Sequence, residues 1–451
     1  MASPDRTMFQ QIIDKRFSGY QLSVCGLCFL VALFDGFDTQ AVAFTGPAII
    51  DAFNANISQL APVMTAGIAG MTLGAVVMGM MGDRLGRRTT LLCSILIFGI
   101  TTLSTAFSTS LETLFLLRIF AGFGMGGATP VLLALASEYS PHRHRGLVTT
   151  GVLLALPAGA MSGGLLAAWV LPIWGWQSIY LIGGIFPLAL FIVMYFYLPD
   201  SLEYLCASSR AQNHQKVMTI LRRISQEEKH HPVETSSAPR SAQRSRLSLK
   251  NLFTAEYKLT TIGVWSVYFL NWVAWFMLLS WLPTLLKQAG LAPDQTPMAS
   301  VTVNAAFILF ALPLAYFLPR INIMNVLWFM FATGIAVAAC LIFAVPAQNW
   351  LAVFLLIGLA GFGIGGQQLA LNYLVVATYP PHVRATAMGW AIGTGRLGAI
   401  FGSGVGGIVL AKYGASGFFA ILIIPLALSA LSVLLIRRRY HRQIKSQNAV
   451  V

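Results

Sequence analysis

The chain alternates between long apolar stretches and short polar interruptions. Twelve apolar stretches can be separated, near 20–44, 58–81, 89–108, 111–137, 147–170, 178–198, 260–284, 298–318, 323–345, 349–377, 386–411 and 416–436. An α-helix of about 20 residues is long enough to cross a hydrocarbon layer of roughly 30 Å. The pattern therefore predicts an all-α polytopic membrane protein with twelve transmembrane helices in two six-helix halves.

One long polar segment divides the predicted helices into two sets of six. Residues 199–258 are rich in Ser, Arg, Lys and His, and the chain has no other hydrophilic stretch of that length. We expect five parts, which are a cytoplasmic N-terminal segment (1–19), a six-helix bundle (20–198), a cytoplasmic linker (199–258), a second six-helix bundle (259–437) and a cytoplasmic tail (438–451).

Composition supports the membrane prediction and accounts for the basic charge. Of 451 residues, 57% are hydrophobic and only 10% are charged, whereas soluble domains carry about 25% charged residues. A net charge of +14 is compatible with nucleic-acid binding. However, 25 of the 29 Lys and Arg fall in the termini, the linker and alternate loops, against only Lys287 and Lys412 in the other loops. This positive-inside asymmetry predicts that both termini are cytoplasmic and that no nucleic acid is bound.

The two sets of helices also resemble each other in sequence. AGFGMGGATPVLLALASEYSPHRHRG (121–146) aligns with AGFGIGGQQLALNYLVVATYPPHVRA (360–385) at an offset of 239–240 residues. Repeated six-helix units joined by a linker are typical of secondary transporters. A membrane enzyme or receptor is disfavoured, because no predicted span contains a Ser–His pair or a His/Glu metal set.

Four short motifs carry a resemblance to a known family. The first helix contains DGFD (35–38), the loop after the second helix contains GDRLGRRTT (82–90), the fourth helix contains RIFAGFGMGG (118–127), and YPPHVRATAMGWAIGTGRLG (379–398) leads into the eleventh helix. Together with the 6+6 plan, these motifs resemble the major facilitator superfamily and, within it, the aromatic acid:proton symporter family. The resemblance covers the chain except 199–258. It implies proton-coupled import of benzoate-like or hydroxybenzoate-like carboxylates across a bacterial inner membrane.

Two aspartates of the first helix are the candidate proton carriers. Among fifteen acidic residues only Asp35 and Asp38 lie well inside a predicted span, and none of the seven histidines does. Ionisable groups in hydrocarbon are costly and usually functional. At 1.5 Å per residue, Arg118 lies at the same depth. We predict a proton-coupling site formed by Asp35, Asp38 and Arg118. The alternative is a static Asp–Arg bridge that locks the first helix to the fourth.

A second group of residues in the other half is the candidate substrate site. Arg396 lies near the predicted midplane of the eleventh helix, and its guanidinium suits a carboxylate. Aromatic side chains repeat at i, i+4 and i+7 on the seventh helix, where they can wall an aromatic ring. We predict that the substrate contacts Arg396, Asn271, Tyr268, Trp272, Trp275, Gln367, Gln368 and Asn372. The alternatives are that the aromatic residues only pack or face lipid, and that the amides of the tenth helix bridge helices by hydrogen bonds.

The basic loop is a candidate gate at the cytoplasmic face. We expect Asp83, Arg84, Arg87 and Arg88 to bridge to helix ends of the other half, with Glu138, Arg145 or Arg384 as partners. The alternative is that these charges only set the topology.

Under the predicted function, the partners of the chain are a small aromatic carboxylate, protons and the lipid bilayer. We predict no enzymatic activity, no cofactor and no metal, and a functional monomer. An importer of another small organic acid, such as muconate or a sugar acid, is the alternative function. A drug exporter is disfavoured, because an intramembrane Arg396 repels cations.

Overall fold

The computed structural model describes residues 13–14, 17–207, 217, 219–220, 223–224, 252–254 and 257–448. Six long helices precede the linker. They are α1 (Gly19–Ala52), α2 (Ile57–Leu85), α3 (Arg87–Thr105), α4 (Leu111–Tyr139), α5 (Arg145–Trp174) and α6 (Gln177–Tyr197). A short helix, Leu202–Ala207, follows them. Most of the predicted linker, 199–258, lies outside the described residues.

Six further long helices follow the linker. They are α7 (Lys258–Gln288), α8 (Thr296–Phe317), α9 (Ile323–Ala344), α10 (Trp350–Thr378), α11 (381–413) and α12 (415–448). A break at Gly414, with φ 65° and ψ −166°, separates the last two helices. Glycine suits this backbone conformation because it has no Cβ. Each half therefore contains six helices long enough to cross a bilayer, and the prediction of an all-α fold with twelve transmembrane helices is confirmed.

Polar residues between the apolar stretches cap the helices where the sequence pattern predicts helix ends. Ser18 accepts a hydrogen bond from the backbone N–H of Gln21, whose side chain in turn accepts one from the Ser18 N–H. Ser110 and Asn349 accept equivalent bonds at the starts of α4 and α10. These caps satisfy backbone donors that have no partner inside the helix.

Glycines allow α1 to cross α5 at close range. A Cβ on Gly36 would lie 1.9 Å from the carbonyl oxygen of Leu156, and a Cβ on Gly159 would lie 1.8 Å from that of Leu33. The second half repeats the crossing between α7 and α11, where a Cβ on Gly398 would lie 2.2 Å from a backbone oxygen. Gly159 lies on the fifth helix of the first half and Gly398 on the fifth helix of the second, so glycines form the same helix crossing in both halves.

One turn of α10 breaks this equivalence. Residues Gly361–Gly365 form a π-helical turn, and the N–H of Gly366 donates to the carbonyl of Gly361 at 2.9 Å. The matching glycines of α4 lie in regular α-helix. A π-turn accommodates one extra residue. The repeat offset accordingly rises from 239 at the glycines to 240 at Tyr139 and Tyr379.

The bonds between the two halves are unevenly distributed along the bundle. We call the end with Asp51 and Lys287 the charge-poor end, and the end with the 82–90 loop the basic end. At the charge-poor end, Lys287 pairs with Asp51 and donates to the carbonyl of Pro47 at 3.2 Å. A Cβ on Gly164 of α5 would lie 2.8 Å from the side chain of Val301 of α8. At the basic end, no hydrogen bond or ion pair joins the halves within the described ranges. The halves are therefore closed against each other at the charge-poor end.

Candidate transport site

A buried ion pair joins α1 to α4. Arg118 Nη1 donates to Asp38 Oδ2 at 2.9 Å, and the two residues are 2% and 1% exposed. Arg118 Nη2 also donates to Thr102 Oγ1 at 3.2 Å and to Thr105 Oγ1 at 3.1 Å, while Thr102 donates to the other Asp38 oxygen at 2.9 Å. The Arg118 guanidinium lies 5.0 Å from the ring centre of Tyr180. Both charges are thus enclosed by hydrogen bonds and an aromatic face.

Sequence reasoning missed the hydroxyl groups of this cluster. Thr102 and Thr105 lie on α3, and Tyr180 on α6 is fixed by a 2.9 Å hydrogen bond between its hydroxyl and Thr45. The available signal was the presence of hydroxyl side chains inside apolar spans, because such groups need a partner away from water. Their partners were not foreseeable, because they come from two other helices, α1 and α4.

Asp35 has a different environment from Asp38. It is 1% exposed, its Oδ2 accepts from Thr129 at 2.9 Å and its Oδ1 accepts from Thr39 at 3.4 Å. Within the described part of the chain, no cation forms an ion pair with Asp35. Arg396 of the opposite half approaches it through Met71, since Thr39 also reaches Met71 Sδ at 4.0 Å and the Met71 carbonyl accepts from Arg396. Arg118 is thus paired with Asp38, while Asp35, three residues away on the same helix, is bonded to threonine hydroxyls. The proton-coupling site of Asp35, Asp38 and Arg118 stays a prediction.

Arg396 crosses from α11 to the first half of the molecule. Its Nη1 donates to the backbone carbonyl of Met71 on α2 at 3.0 Å, and its side chain is half-buried. Only one of its five N–H groups is bonded in this way, so the guanidinium retains donors for an anion. Gly395, which precedes it, lies against the ring of Trp272, since a Cβ there would be 2.9 Å from that ring.

Four of the predicted substrate residues form one hydrogen-bond chain between α7 and α10. The indole N–H of Trp272 donates to Gln368 Oε1, Gln368 Nε2 donates to Asn372 Oδ1 at 3.0 Å, and the Tyr268 hydroxyl donates to the same oxygen at 2.8 Å. On each helix the bonded residues are four positions apart and share one face, Tyr268 and Trp272 on α7 and Gln368 and Asn372 on α10. The structure shows the bridging role that was the alternative for these amides, and Trp272, Gln368 and Asn372 also stay half-buried.

Besides Arg396, three more of the predicted substrate residues lie outside this hydrogen-bond chain. Trp275 packs on Phe307, with ring centres 6.2 Å apart. Gln367 is buried and donates to the carbonyl of Gly363 in the π-turn. Asn271 is 1% exposed and its Oδ1 has no hydrogen-bond partner in the described structure. Trp275 and Gln367 therefore act in packing here, while Asn271 keeps a free acceptor.

A small cavity, of about 30 Å³, lies between the halves. Asp38, Arg118 and Met71 line it from the first half, and Phe276 and Ser280 line it from α7. The ring of Phe276 stacks on Trp272 at 5.5 Å, which connects the cavity to the hydrogen-bond chain. Gln40, which we did not predict, also lines the cavity, and its buried Oε1 has no partner in the described structure.

The predicted gate residues contact their own half in this structure. Arg87 pairs with Glu138, and Arg88 donates to the carbonyl of Tyr195 at 2.6 Å. Glu138 belongs to α4, so it is not a residue of the opposite half as the gate prediction required. Arg384 of the second half donates to the carbonyl of Tyr379 at 3.2 Å.

Arg84 and Arg145 form no bridge between the halves in the part of the chain that the structure describes. The carbonyl of Arg84 accepts from Tyr204 at 3.3 Å, and the buried Nε of Arg145 has no partner in the described structure. The side chain of Asp83 lies outside the described structure. The physical reason for the missing bridges is the packing at the charge-poor end, which holds the halves together away from this loop.

Comparisons with known proteins agree with the fold. A family model for the Major Facilitator Superfamily matches residues 28–394 and 264–450. Among solved structures, a partially occluded, inward-open xylose transporter XylE from E. coli superposes with a TM-score of 0.73 at 16% identity, covering 93% of this chain and 98% of that one. A bacterial homologue of the human lysosomal transporter Spinster superposes with a TM-score of 0.71 at 13% identity, covering 94% and 98% of the two chains.

Curated relatives are more similar in sequence. The chain is 34% identical to a 4-hydroxybenzoate transporter, PcaK, of Acinetobacter baylyi over 94% of this chain and 92% of the relative. It is 32% identical to a gallate transporter of Pseudomonas putida, covering 94% and 93%. A benzoate transport protein of Acinetobacter baylyi is 26% identical, covering 95% and 92%. The chain is a membrane transporter and belongs to the Major Facilitator Superfamily.

Proposed function

We propose that this protein is a proton-coupled transporter that imports aromatic carboxylates of the benzoate and hydroxybenzoate type. Relatives named for 4-hydroxybenzoate, gallate and benzoate match nearly the whole chain, which supports this substrate class. The observation that carries the coupling is the position of Asp35 opposite Arg396. Asp35 belongs to the first half and Arg396 to the second. Thr39, which donates to Asp35 Oδ1 at 3.4 Å, also reaches Met71 Sδ at 4.0 Å, and the Met71 carbonyl accepts from Arg396.

Asp35 is the better proton carrier of the two aspartates. Asp38 is bonded to a guanidinium through one oxygen and to Thr102 through the other, so a proton can reach it only by breaking an ion pair. Asp35 is held by two threonine hydroxyls and no bonded cation. It can take up and release a proton without separating charges at contact distance. Asp38 and Arg118 then serve as a fixed anchor between α1 and α4.

Arg396 links the proton to the substrate. In the empty site its positive charge faces the Asp35 carboxylate. An incoming carboxylate competes for the same guanidinium, which offers a bidentate fork. When the substrate takes Arg396, the Asp35 carboxylate loses its opposite charge and takes up a proton. Proton and anion therefore bind together and leave together, which is the requirement for symport.

Alternating access follows from closing and opening the two ends in turn. In the present state, Lys287 and Asp51 tie the halves together at the charge-poor end. We propose that the basic end faces the cytoplasm of a bacterial cell, with both termini inside and the chain in the inner membrane, because Lys and Arg are retained on the cytoplasmic side. The 82–90 loop would then contact the second half when the basic end closes, and the monomer would complete the cycle.

Uptake into proteoliposomes tests this function. The full chain is reconstituted, and accumulation of labelled 4-hydroxybenzoate and benzoate is followed with an inward proton gradient, with an uncoupler, and with muconate and a sugar acid as competitors. We expect accumulation that collapses with the uncoupler and that only the aromatic acids inhibit. Uptake that is independent of the proton gradient would contradict the proposed proton coupling. Uptake inhibited only by muconate or the sugar acid would favour the alternative organic-acid function.

A further inference from the structure

The small cavity between the halves borders the buried ion pair of the first half. Its volume of about 30 Å³ is enough for one or two water molecules, since one water needs about 10–15 Å³. It is too small for an aromatic ring, because an apolar cavity that binds benzene measures about 150 Å³. Asp38, Thr39, Gln40 and Arg118 line it from the first half, and Ser280 lines it from α7. The space therefore fits a small polar ligand and not the transported acid.

Two buried polar atoms without a partner belong to residues that line this cavity. Gln40 is 4% exposed, and its Oε1 has no hydrogen-bond partner within the described residues. Arg118 is 2% exposed, and its Nε likewise has none there. Burying a polar atom without a hydrogen bond is costly, and bound water is the usual remedy. One atom is an acceptor and the other a donor, so a single water molecule can donate to Gln40 Oε1 and accept from Arg118 Nε.

Thr39 connects this cavity to Asp35. The Thr39 hydroxyl donates to Asp35 Oδ1 at 3.4 Å, and Thr39 lines the cavity. The other hydroxyl bond to this carboxylate comes from Thr129, which donates to Oδ2 at 2.9 Å. Neither Asp35 nor Thr129 is among the residues that line the cavity. Of the groups bonded to Asp35 in the described part of the chain, Thr39 is therefore the one that borders the cavity.

We infer that this cavity is a water site and that the Thr39 hydroxyl relays protons between the bound water and Asp35. The inference rests on the proposed function, in which Asp35 carries the proton. A proton on the bound water passes to Thr39 Oγ1 while the hydrogen of that hydroxyl passes to Asp35 Oδ1. The water is left neutral, Thr39 again holds one hydrogen, and the carboxylate becomes a carboxylic acid. Release of the proton reverses these steps, and Gln40 and Arg118 position the water.

Two substitutions of Thr39 test the relay in proteoliposomes. Thr39→Val keeps the shape of the side chain but removes the hydroxyl, whereas Thr39→Ser keeps the hydroxyl. We expect Thr39→Val to slow gradient-driven accumulation of labelled 4-hydroxybenzoate at least ~10-fold, because a positioned proton-transfer group is lost. Its rates in H₂O and D₂O should also differ more than those of the wild-type protein. Exchange of labelled for unlabelled substrate, which needs no net proton movement, should stay near the wild-type rate, and Thr39→Ser should recover accumulation.

Thr129→Val is the matched comparison, because it removes the shorter bond to the same carboxylate without altering the lining of the cavity. It should impair accumulation less than Thr39→Val does, and it should not enlarge the difference between H₂O and D₂O. Three results would overturn the relay: equal defects in the two valine variants, wild-type accumulation in Thr39→Val, or a Thr39→Ser variant as slow as Thr39→Val.

Substitution of Gln40 tests the water site. Gln40→Leu removes a polar partner of the water, so we expect slower accumulation with exchange retained. Thr72→Val on α2, whose hydroxyl donates to the carbonyl of Ile68, is the control and should match the wild-type protein in both measurements. Exchange lost in step with accumulation in Gln40→Leu would overturn the water site, because Gln40 would then act on the substrate. A wild-type protein without gradient-driven accumulation would overturn the proposed function and the relay together.

Discussion

Asp38 and Arg118 form a closed ion pair, with 2.9 Å between Oδ2 and Nη1, in the most buried part of the first half. Three residues away on the same helix, Asp35 has no bonded cation in the part of the chain that the structure describes. Two carboxylates at nearly the same depth therefore have different bonding partners. The proposed function accordingly gives Asp38 the anchoring role and Asp35 the proton.

Asparagine substitutions should separate the two roles. Asp38→Asn leaves Arg118 buried without its counter-charge, and removing one partner of a buried pair costs about 3–5 kcal/mol. We expect a clear loss of thermal stability and of all transport, measured by melting in detergent and by exchange of labelled substrate. Asp35→Asn should melt within a few degrees of the wild-type protein. It should lose accumulation driven by the proton gradient but keep substrate exchange. Equal melting temperatures and equal transport defects in the two variants would contradict the separate roles of Asp35 and Asp38.

Arg396 should control the apparent affinity for the carboxylate. Arg396→Ala removes the guanidinium that faces the interface, and we expect the apparent KM for 4-hydroxybenzoate to rise at least ~30-fold, or transport to disappear. Arg396→Lys keeps the charge but not the fork, so it should recover only part of the loss. Initial uptake rates over a range of substrate concentrations measure the effect. Wild-type kinetics in the alanine variant would exclude Arg396 from the site.

The competition between Asp35 and the substrate predicts a change in pH dependence. If the substrate carboxylate and the Asp35 carboxylate compete for Arg396, substrate affinity should fall as the pH rises and Asp35 loses its proton. In Asp35→Asn this competition is absent, so binding should be at least as tight as in the wild-type protein at high pH and nearly independent of pH. Equilibrium binding at a series of pH values, under conditions where the substrate stays ionised, provides the measurement. Parallel pH profiles in the two proteins would argue against the exchange.

The pair at the charge-poor end should bias the two access states. Lys287 and Asp51 are partly exposed, and such pairs contribute about 0.5–1 kcal/mol. Lys287→Ala should therefore shift the equilibrium two- to fivefold toward opening at this end. A cysteine at Thr65, beside Gly404 at the contact between the halves, reports the shift as faster alkylation from that side. The charge-swapped double variant Lys287→Asp, Asp51→Lys should restore the slow rate, and failure to do so would argue against a direct pair.

Gly36 should tolerate no larger side chain. Its Cβ position lies 1.9 Å from the carbonyl of Leu156, so Gly36→Ala forces α1 away from α5 and misplaces both neighbouring aspartates. Overpacking of this kind costs about 1–3 kcal/mol, and we expect reduced stability together with reduced transport. Gly26→Ala on the same helix, with nothing near its Cβ position, is the matched control and should behave like the wild-type protein.

The sequence was sufficient to predict the helices and the charged centres. Apolar runs of membrane-spanning length predict all twelve helices, because in a bilayer the backbone of each span must satisfy its own hydrogen bonds. The predicted ends are too early for α1, which continues from 44 to Ala52, and for α12, which continues from 436 to Asn448. Asp35, Asp38, Arg118 and Arg396 stand out because charges in hydrocarbon are rare. Counting the helix rise per residue placed Arg118 at the same depth in the membrane as Asp38, and residues at the same depth on neighbouring helices can form a contact.

The partners of these groups depend on helix rotation, which depth does not determine. Asp35 and Asp38 are offset by about 60° around α1 and by about 4.5 Å along it, and Arg118 bonds only Asp38. Thr129 reaches the site from α4 and Tyr180 from α6. The apolar pattern of these two helices does not determine which of their sides faces the site. The gate prediction depended on another unknown, the access state, since contacts between the halves at the basic end require a different arrangement from the one observed.

The π-turn of α10 has a consequence for how the two halves divide their work. The wide turn absorbs the inserted residue locally, and the α-helix that resumes after it begins with Gln367 and Gln368. Beyond their shared glycine runs, α4 and α10 present different polar groups, since Thr129 binds Asp35 whereas Gln368 binds Trp272. Two bundles of common plan therefore offer unlike chemistry at corresponding places, which a strictly identical pair could not do.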